Sequence, residues 1–146
     1  MTKQELLARL TAILEEAKTG LLATVDAEGR PRMRWMTPAL LAGRTGALFA
    51  LTSPGFAKTA QISGQPYVEW MFQSPSLTEI VTLRGRINLL DNPSIRSEVL
   101  EVVGPRLRAF WKLNAEERDL LVLETVLEEA SHYLPLTGEK VSVRLD

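Results

Sequence analysis

A tight reversal near the start of the chain limits what the rest can build. Leu21-Leu22-Ala23-Thr24-Val25 is an aliphatic, β-branched run that stops at Asp26-Ala27-Glu28-Gly29, where an aspartate can cap its own backbone and a glycine can take positive φ. The chain must double back there, so Arg30 to Thr37 reads as the return strand. Side chains alternate along a strand, which puts Arg30, Arg32, Arg34 and Met36 on one face and Pro31, Met33, Trp35 and Thr37 on the other. One face is basic and the other largely apolar. A second turn, Gly43-Arg44-Thr45-Gly46, leads into a third strand, Ala47-Leu48-Phe49-Ala50-Leu51. That strand ends on Thr52, Ser53, Pro54 and Gly55, with Lys58 just beyond in a short helical pattern from Phe56 to Ile62.

Two cations on neighbouring segments, two hydroxyls and a helix start form a cradle suited to one phosphate. Arg34 offers a forked pair of charged donors, Lys58 a point charge, and Thr52 and Ser53 short neutral donors. Arg30 and Arg32 read as surface charges. No glycine-lysine phosphate loop and no GxGxxG follows a strand, which disfavours nucleoside triphosphates and dinucleotides.

The remaining elements follow from local pattern. Thr2-Lys3-Gln4-Glu5 fits a capping box, and Leu6, Leu10, Ile13, Leu14 and Ala17 recur at helical spacing before Gly20, which is read as the stop. Tyr67 to Phe72 reads as a strand, Ser74-Pro75-Ser76 as a turn. From Leu77 to Leu89, Val81, Leu83, Ile87 and Leu89 alternate with Thr82, Arg84, Arg86 and Asn88, and the mid-strand Gly85 predicts a bulge. Asn92-Pro93 opens a helix with the stripe Ile95, Val99, Leu100 and Val103, and Gly104-Pro105 is expected to end it, with a further short helix from Leu107 to Leu113. From Asp119 to Leu134 the residues alone fit a helical stripe. The chain closes with a turn at Leu136-Thr137-Gly138-Glu139 and a strand from Val141 to Leu145.

With 146 residues and a formal net charge of -1, the chain suits one domain spanning 1–146 and gives no electrostatic case for nucleic acid or an anionic membrane. It has no cysteine, which removes disulfides, thiolate metal sites and cysteine nucleophiles together. The N-terminus lacks the apolar core of a signal peptide, and no apolar run approaches spanning length, so a cytoplasmic location is expected. His132 is the only histidine. It cannot form a two-histidine metal site, no GxSxG accompanies it, and a structural or surface role is expected. Glu15-Glu16, Glu116-Glu117 and Glu128-Glu129 read as solvated faces.

Leu22-Ala23-Thr24-Val25-Asp26, Gly29 with Pro31, Arg34-Trp35-Met36, Phe49 through Thr52, Lys58, Gln65-Pro66 and Gly85 together resemble the FMN-binding split β-barrel proteins related to pyridoxamine 5'-phosphate oxidase. The spacing of Gly29, Arg34 and Met36 is most similar to the branch of small general stress proteins. The resemblance implies an α+β, mainly β fold, a Greek-key-like antiparallel split β-barrel with flanking helices. It implies extended structure from Asp119 to Leu134, and that reading is adopted over the local period. It also implies an FMN-dependent oxidoreductase working as a homodimer, with the flavin in a groove between subunits. Arg34, Lys58, Leu51, Thr52 and Ser53 would then hold the phosphate end, while Trp35, Met36 and Thr37 would present backbone groups to the ring's polar edge. The side chain of Trp35 is expected in the core. Ala130-Ser131-His132-Tyr133 aligns with a segment that covers the partner's flavin, with Tyr133 where the family has tryptophan, and Trp111 is a second aromatic candidate.

No catalytic side chain is required by this reading, because the flavin carries the redox chemistry. A flavin-binding stress protein without turnover, a deazaflavin or a haem on the same barrel are the alternatives, with haem disfavoured by the single histidine. Oxidation of pyridoxamine phosphate itself is not expected, since the arginine and histidine motif that grips that substrate is absent at Val143-Arg144-Leu145-Asp146.

Overall fold

The computed structural model describes residues 1–55, 64–110 and 119–146. Its elements run α1 (Lys3–Ala17), β1 (Gly20–Val25), β2 (Pro31–Met36), β3 (Ala47–Thr52), β4 (Tyr67–Gln73), β5 (Ile80–Leu90), α2 (Pro93–Phe110), β6 (Leu121–Leu134) and β7 (Glu139–Arg144). The strands form one antiparallel sheet in the order β2-β1-β4-β5-β6-β3, with β7 also paired to β6. The sheet does not close. An isolated antiparallel bridge between Ala39 and Phe49 nevertheless ties the segment after β2 to β3, at the other end of the strand order. The architecture is the α+β, mainly β split barrel that the resemblance implied. Neither described helix is long and apolar enough to cross a membrane.

The first reversal forms as its residues dictate. Asp26 Oδ1 accepts from the backbone N–H groups of Glu28 and Arg30, and Gly29 sits at φ 81°, a conformation that costs a glycine little. This fixes β1 against β2 in the register Leu22 to Arg34 and Thr24 to Arg32.

Two apolar clusters fill the molecule. Leu6, Leu10, Ile13 and Leu14 of α1 enter the first, with Leu22, Leu48, Trp70, Phe72, Leu83 and Leu127. Trp70 stacks on Phe72 at 5.7 Å between centroids, and its indole N–H donates to the buried Thr125 hydroxyl at 2.9 Å. The second cluster packs Val99, Val103 and Leu107 of α2 on Phe49, Leu51 and Val122. β3 is therefore buried on both faces, whereas β6 alternates, with Leu123, Thr125 and Leu127 buried and then Ala130 and His132, the phase switching at the extra residue Glu128. That switch is why Asp119 to Leu134 mimics a helical stripe while forming extended β6. Its long edge serves two partners in turn, β3 beside Leu121 to Val126 and β7 beside Glu129 to Leu134.

Several local expectations are corrected. α1 ends at Ala17, with Lys18 as its left-handed cap at φ 66° donating to the Leu14 carbonyl. Gly20 instead begins β1, where an added Cβ would lie 2.3 Å from the Phe72 ring. Leu77 is not in a strand but in the turn before β5, at φ 59°. Gly104-Pro105 does not end α2, which carries Pro105 inside it and continues to Phe110. The lost hydrogen bond is offset by Leu107, which extends the buried stripe of Val99 and Val103 by another turn. The second short helix is thus the end of α2 as far as Phe110; its remainder, like the helical pattern of Phe56 to Ile62, lies outside the described residues.

The expected bulge is present at Arg84 and Gly85, which pair with Glu129 and Leu127 and leave the extra residue, Glu128, in the partner strand β6. Gly85 is required there by crowding, since a Cβ would meet the Val126 carbonyl oxygen at 2.1 Å. An ionic cluster in which Glu79 and His132 are buried and Arg9 half-exposed fixes α1 to the sheet. Glu79 accepts from Arg9 Nε at 2.7 Å and makes a 2.6 Å contact with Nε2 of His132. His132 is therefore structural, one of three charged or ionisable groups joining α1, the β4–β5 turn and β6. The Arg9 guanidinium first, and the His132 bond after it, hold the Glu79 carboxyl down at about 2 against the opposing effect of burial.

Two outcomes are expected. Gly85→Ala should destabilise the protein by about 1–3 kcal/mol in urea unfolding, as overpacking against backbone does; an unchanged midpoint would contradict the bulge geometry. Glu79 ionises near 4.5 when unfolded and about 2 when folded, so its contribution is complete above 4.5 and disappears as pH falls towards 2. The stability gap between wild type and Glu79→Gln should narrow over that window, whereas a constant gap would exclude the linkage.

Candidate functional site

Arg34 lies opposite Leu22, which in turn lies opposite Trp70. Directly opposed residues share a face, so the guanidinium starts on the interior side of the sheet rather than in open solvent. It reaches diagonally along β1, where Nη2 donates to Thr24 Oγ1 at 2.8 Å, and its Nη1 is buried. Burial, with the charge of Arg32 adding to it, pushes this guanidinium below its usual range. A cation so held is poorly solvated, and an incoming anion would stabilise it. Arg32 is engaged differently, its Nε 3.1 Å from Asp26 Oδ2 at the surface. Arg30 is exposed. Both are the surface charges the sequence suggested.

The hydroxyls sit at the end of β3. The isolated Ala39–Phe49 bridge brings the segment after β2 alongside β3. Met36 packs against the first core cluster, and Thr52 shares the interior face of β3 with Leu48 and Ala50 at 5% exposure. Arg34, Met36 and Thr52 thus turn towards the same interior. Leu51 turns the other way, into the cluster under α2. Thr37 is buried and Ser53 exposed. Lys58 and Trp111 lie outside the described residues.

Trp35 corrects an expectation. Its side chain is 52% exposed rather than in the core, because the register sends Arg34 and Met36 inward and leaves Met33 and Trp35 on the outer face. Tyr133, partly buried, pairs with Ile80 and Lys140. It lies at the far end of β6 from Leu121, the residue opposite Thr52. Within one chain the tyrosine and the β3 hydroxyls therefore do not share a site.

A groove of about 470 Å³ opens on the outer side of the sheet, and neither Arg34 nor Thr52 lines it. Thr24 and Tyr67 line it together with a charged row in which Arg84 lies 3.3 Å from both Glu69 and Glu129. The sequence reading missed this row and took Glu128-Glu129 as a plain solvated face. The outward charges of β5 were legible, but their partners become neighbours only once β4, β5 and β6 are in register. No group of three metal-ligating side chains occurs among the described residues.

The sequence profile of the pyridoxamine 5'-phosphate oxidase family matches residues 6–131. A comparison with curated proteins gives no significant match. Among solved structures, a Clostridium acetobutylicum protein related to general stress protein 26 of B. subtilis is 15% identical, with TM-score 0.73, and the match covers 99% of this chain and 97% of that one. General stress protein 26 of Bacillus anthracis is 17% identical at TM-score 0.70, with 97% and 99% covered. A pyridoxamine 5'-phosphate oxidase-related, FMN binding protein of Nostoc punctiforme is 18% identical at TM-score 0.63, with 95% of each chain covered. The same fold also occurs in proteins described as FAD-binding, haem-binding and an F420 reductase.

Proposed function

Because the chain belongs to the pyridoxamine 5'-phosphate oxidase family, we propose that it is an FMN-binding oxidoreductase whose cofactor lies between two copies of the chain. The observation that carries this reading is Arg34. A partly buried guanidinium, turned inward and oriented by a neutral hydroxyl, is a donor suited to a phosphate monoester. Thr52 and Ser53 add short neutral donors and Lys58 a point charge. The likeness of the fold to an FMN binding protein supports the same choice.

When bound, FMN supplies hydride and electron transfer at its N5 position. The chain's part is to grip the anionic tail and to offer hydrogen bonds to the ring. β2 ends the order of paired strands, so alternate backbone groups along Trp35 and Met36 point away from β1. These groups, with Thr37 after them, are the donors assigned to the ring's polar edge. The outer face supports the second copy, since Met33 at 65%, Trp35 at 52%, Tyr67 at 62% and Met71 at 41% exposure form an apolar surface on β2, β1 and β4. Surfaces of this kind mark association, and a two-fold pair would also carry Tyr133 of each chain towards the other.

A flavin held without turnover uses the same residues, and reduction by a nicotinamide followed by reoxidation by a substrate separates the two readings. A deazaflavin would be told apart by its spectrum. Haem is disfavoured because the one histidine is buried with its Nε2 against Glu79.

Added FMN should bind with quenched fluorescence, and Arg34→Ala combined with Lys58→Ala should weaken it by about 3 kcal/mol or more, since charge-assisted bonds contribute about 1.5–3 kcal/mol each. Unchanged affinity in the double variant would refute the cradle, and no flavin binding by wild type would refute the reading. In sedimentation, wild type should be a dimer and Trp35→Asp a monomer with weakened FMN binding. A wild-type monomer that binds FMN would exclude the shared site.

A further inference from the structure

We propose that Thr24 is a positioning residue, its hydroxyl aiming the Arg34 guanidinium at the anionic tail of the ligand; this rests on the phosphate reading above. The register sets Thr24 opposite Arg32 and Arg34 opposite Leu22, so the 2.8 Å bond from Arg34 Nη2 to Thr24 Oγ1 crosses the strand pair diagonally. A guanidinium is a rigid planar fork. Fixing one Nη therefore limits where the other donors can point.

The nature of the acceptor matters as much as its place. The carboxylate of Asp26 draws Arg32 into a surface ion pair, cancelling the charge that an anion would need. A hydroxyl fixes direction without itself bringing a counter-charge. Thr24 is suited to this task because a β-branched side chain is stiff at χ1, and its strand is flanked on both sides by β2 and β4.

The test compares FMN with riboflavin, which lacks the phosphate, by fluorescence titration of the full chain carrying Thr24→Val, Thr24→Ser, Arg34→Ala or Thr24→Val with Arg34→Ala. Thr24→Val should weaken FMN about tenfold, the effect of losing one oriented bond, and leave riboflavin unchanged. Thr24→Ser should restore FMN to within about twofold of wild type. In the Arg34→Ala background, Thr24→Val should add nothing further. Equal weakening of both flavins would mean a merely structural role and overturn the proposal. So would wild-type FMN affinity in Thr24→Val when Arg34→Ala has lost the preference for FMN, an outcome that leaves the phosphate reading standing. If Arg34→Ala keeps that preference, or if wild type binds neither flavin, the phosphate reading fails and Thr24 falls with it. Should Thr24→Val not fold, Thr24→Ala against Thr24→Ser gives the same comparison.

Discussion

The register of β1 against β2 is the constraint from which the site follows. Asp26 and Gly29 set the turn, and the turn sets Leu22 opposite Arg34. A slip of one residue would exchange the two faces of β2, sending Arg34 to the surface and Trp35 into the interior. As it stands, a cation faces the interior beside Thr24 while Met33 and Trp35 are presented outward. The proposed anion site and the proposed association surface are thus two faces of one strand.

This arrangement sets a cation in poor solvent and leaves a hydroxyl to orient it. The cluster of Arg9, Glu79 and His132 follows the opposite plan, a buried carboxylate holding a half-exposed guanidinium and an imidazole. One cluster carries its own carboxylate, whereas at Arg34 the proposed anion comes from the ligand. The distinction also explains why the lone histidine, chemically the most versatile side chain present, belongs to the scaffold.

Much of this was legible from residues alone where the cause is local. The Asp26–Gly29 turn and the Thr2 and Asn92 caps rest on side chains acting within a few positions of themselves, while Gly85 announced the bulge simply by being a glycine in mid-strand. Expectations failed where distant packing decides. Pro105 should stop a helix, yet the apolar seat for Leu107 under α2 carries the helix through it. Trp35 should prefer a core, yet the partner strand's register turns it outward. β6 was assigned correctly only through the family resemblance, because the extra residue Glu128 shifts the phase of the alternation by which a strand is recognised. Arg34 could be singled out by type and spacing, but Thr24 could not, since their contact depends on the pairing of two strands.

The central claim is that a phosphate docks at the inward-facing guanidinium, and phosphorus NMR of FMN in the presence of the protein tests it most directly. Free phosphate monoesters lose their second proton at a pKa of about 6. Docked beside Arg34, the phosphate should stay dianionic well below that value, with a shifted resonance, and Arg34→Ala should restore the ordinary titration. A resonance that titrates like free FMN while the ring is visibly bound would contradict the account.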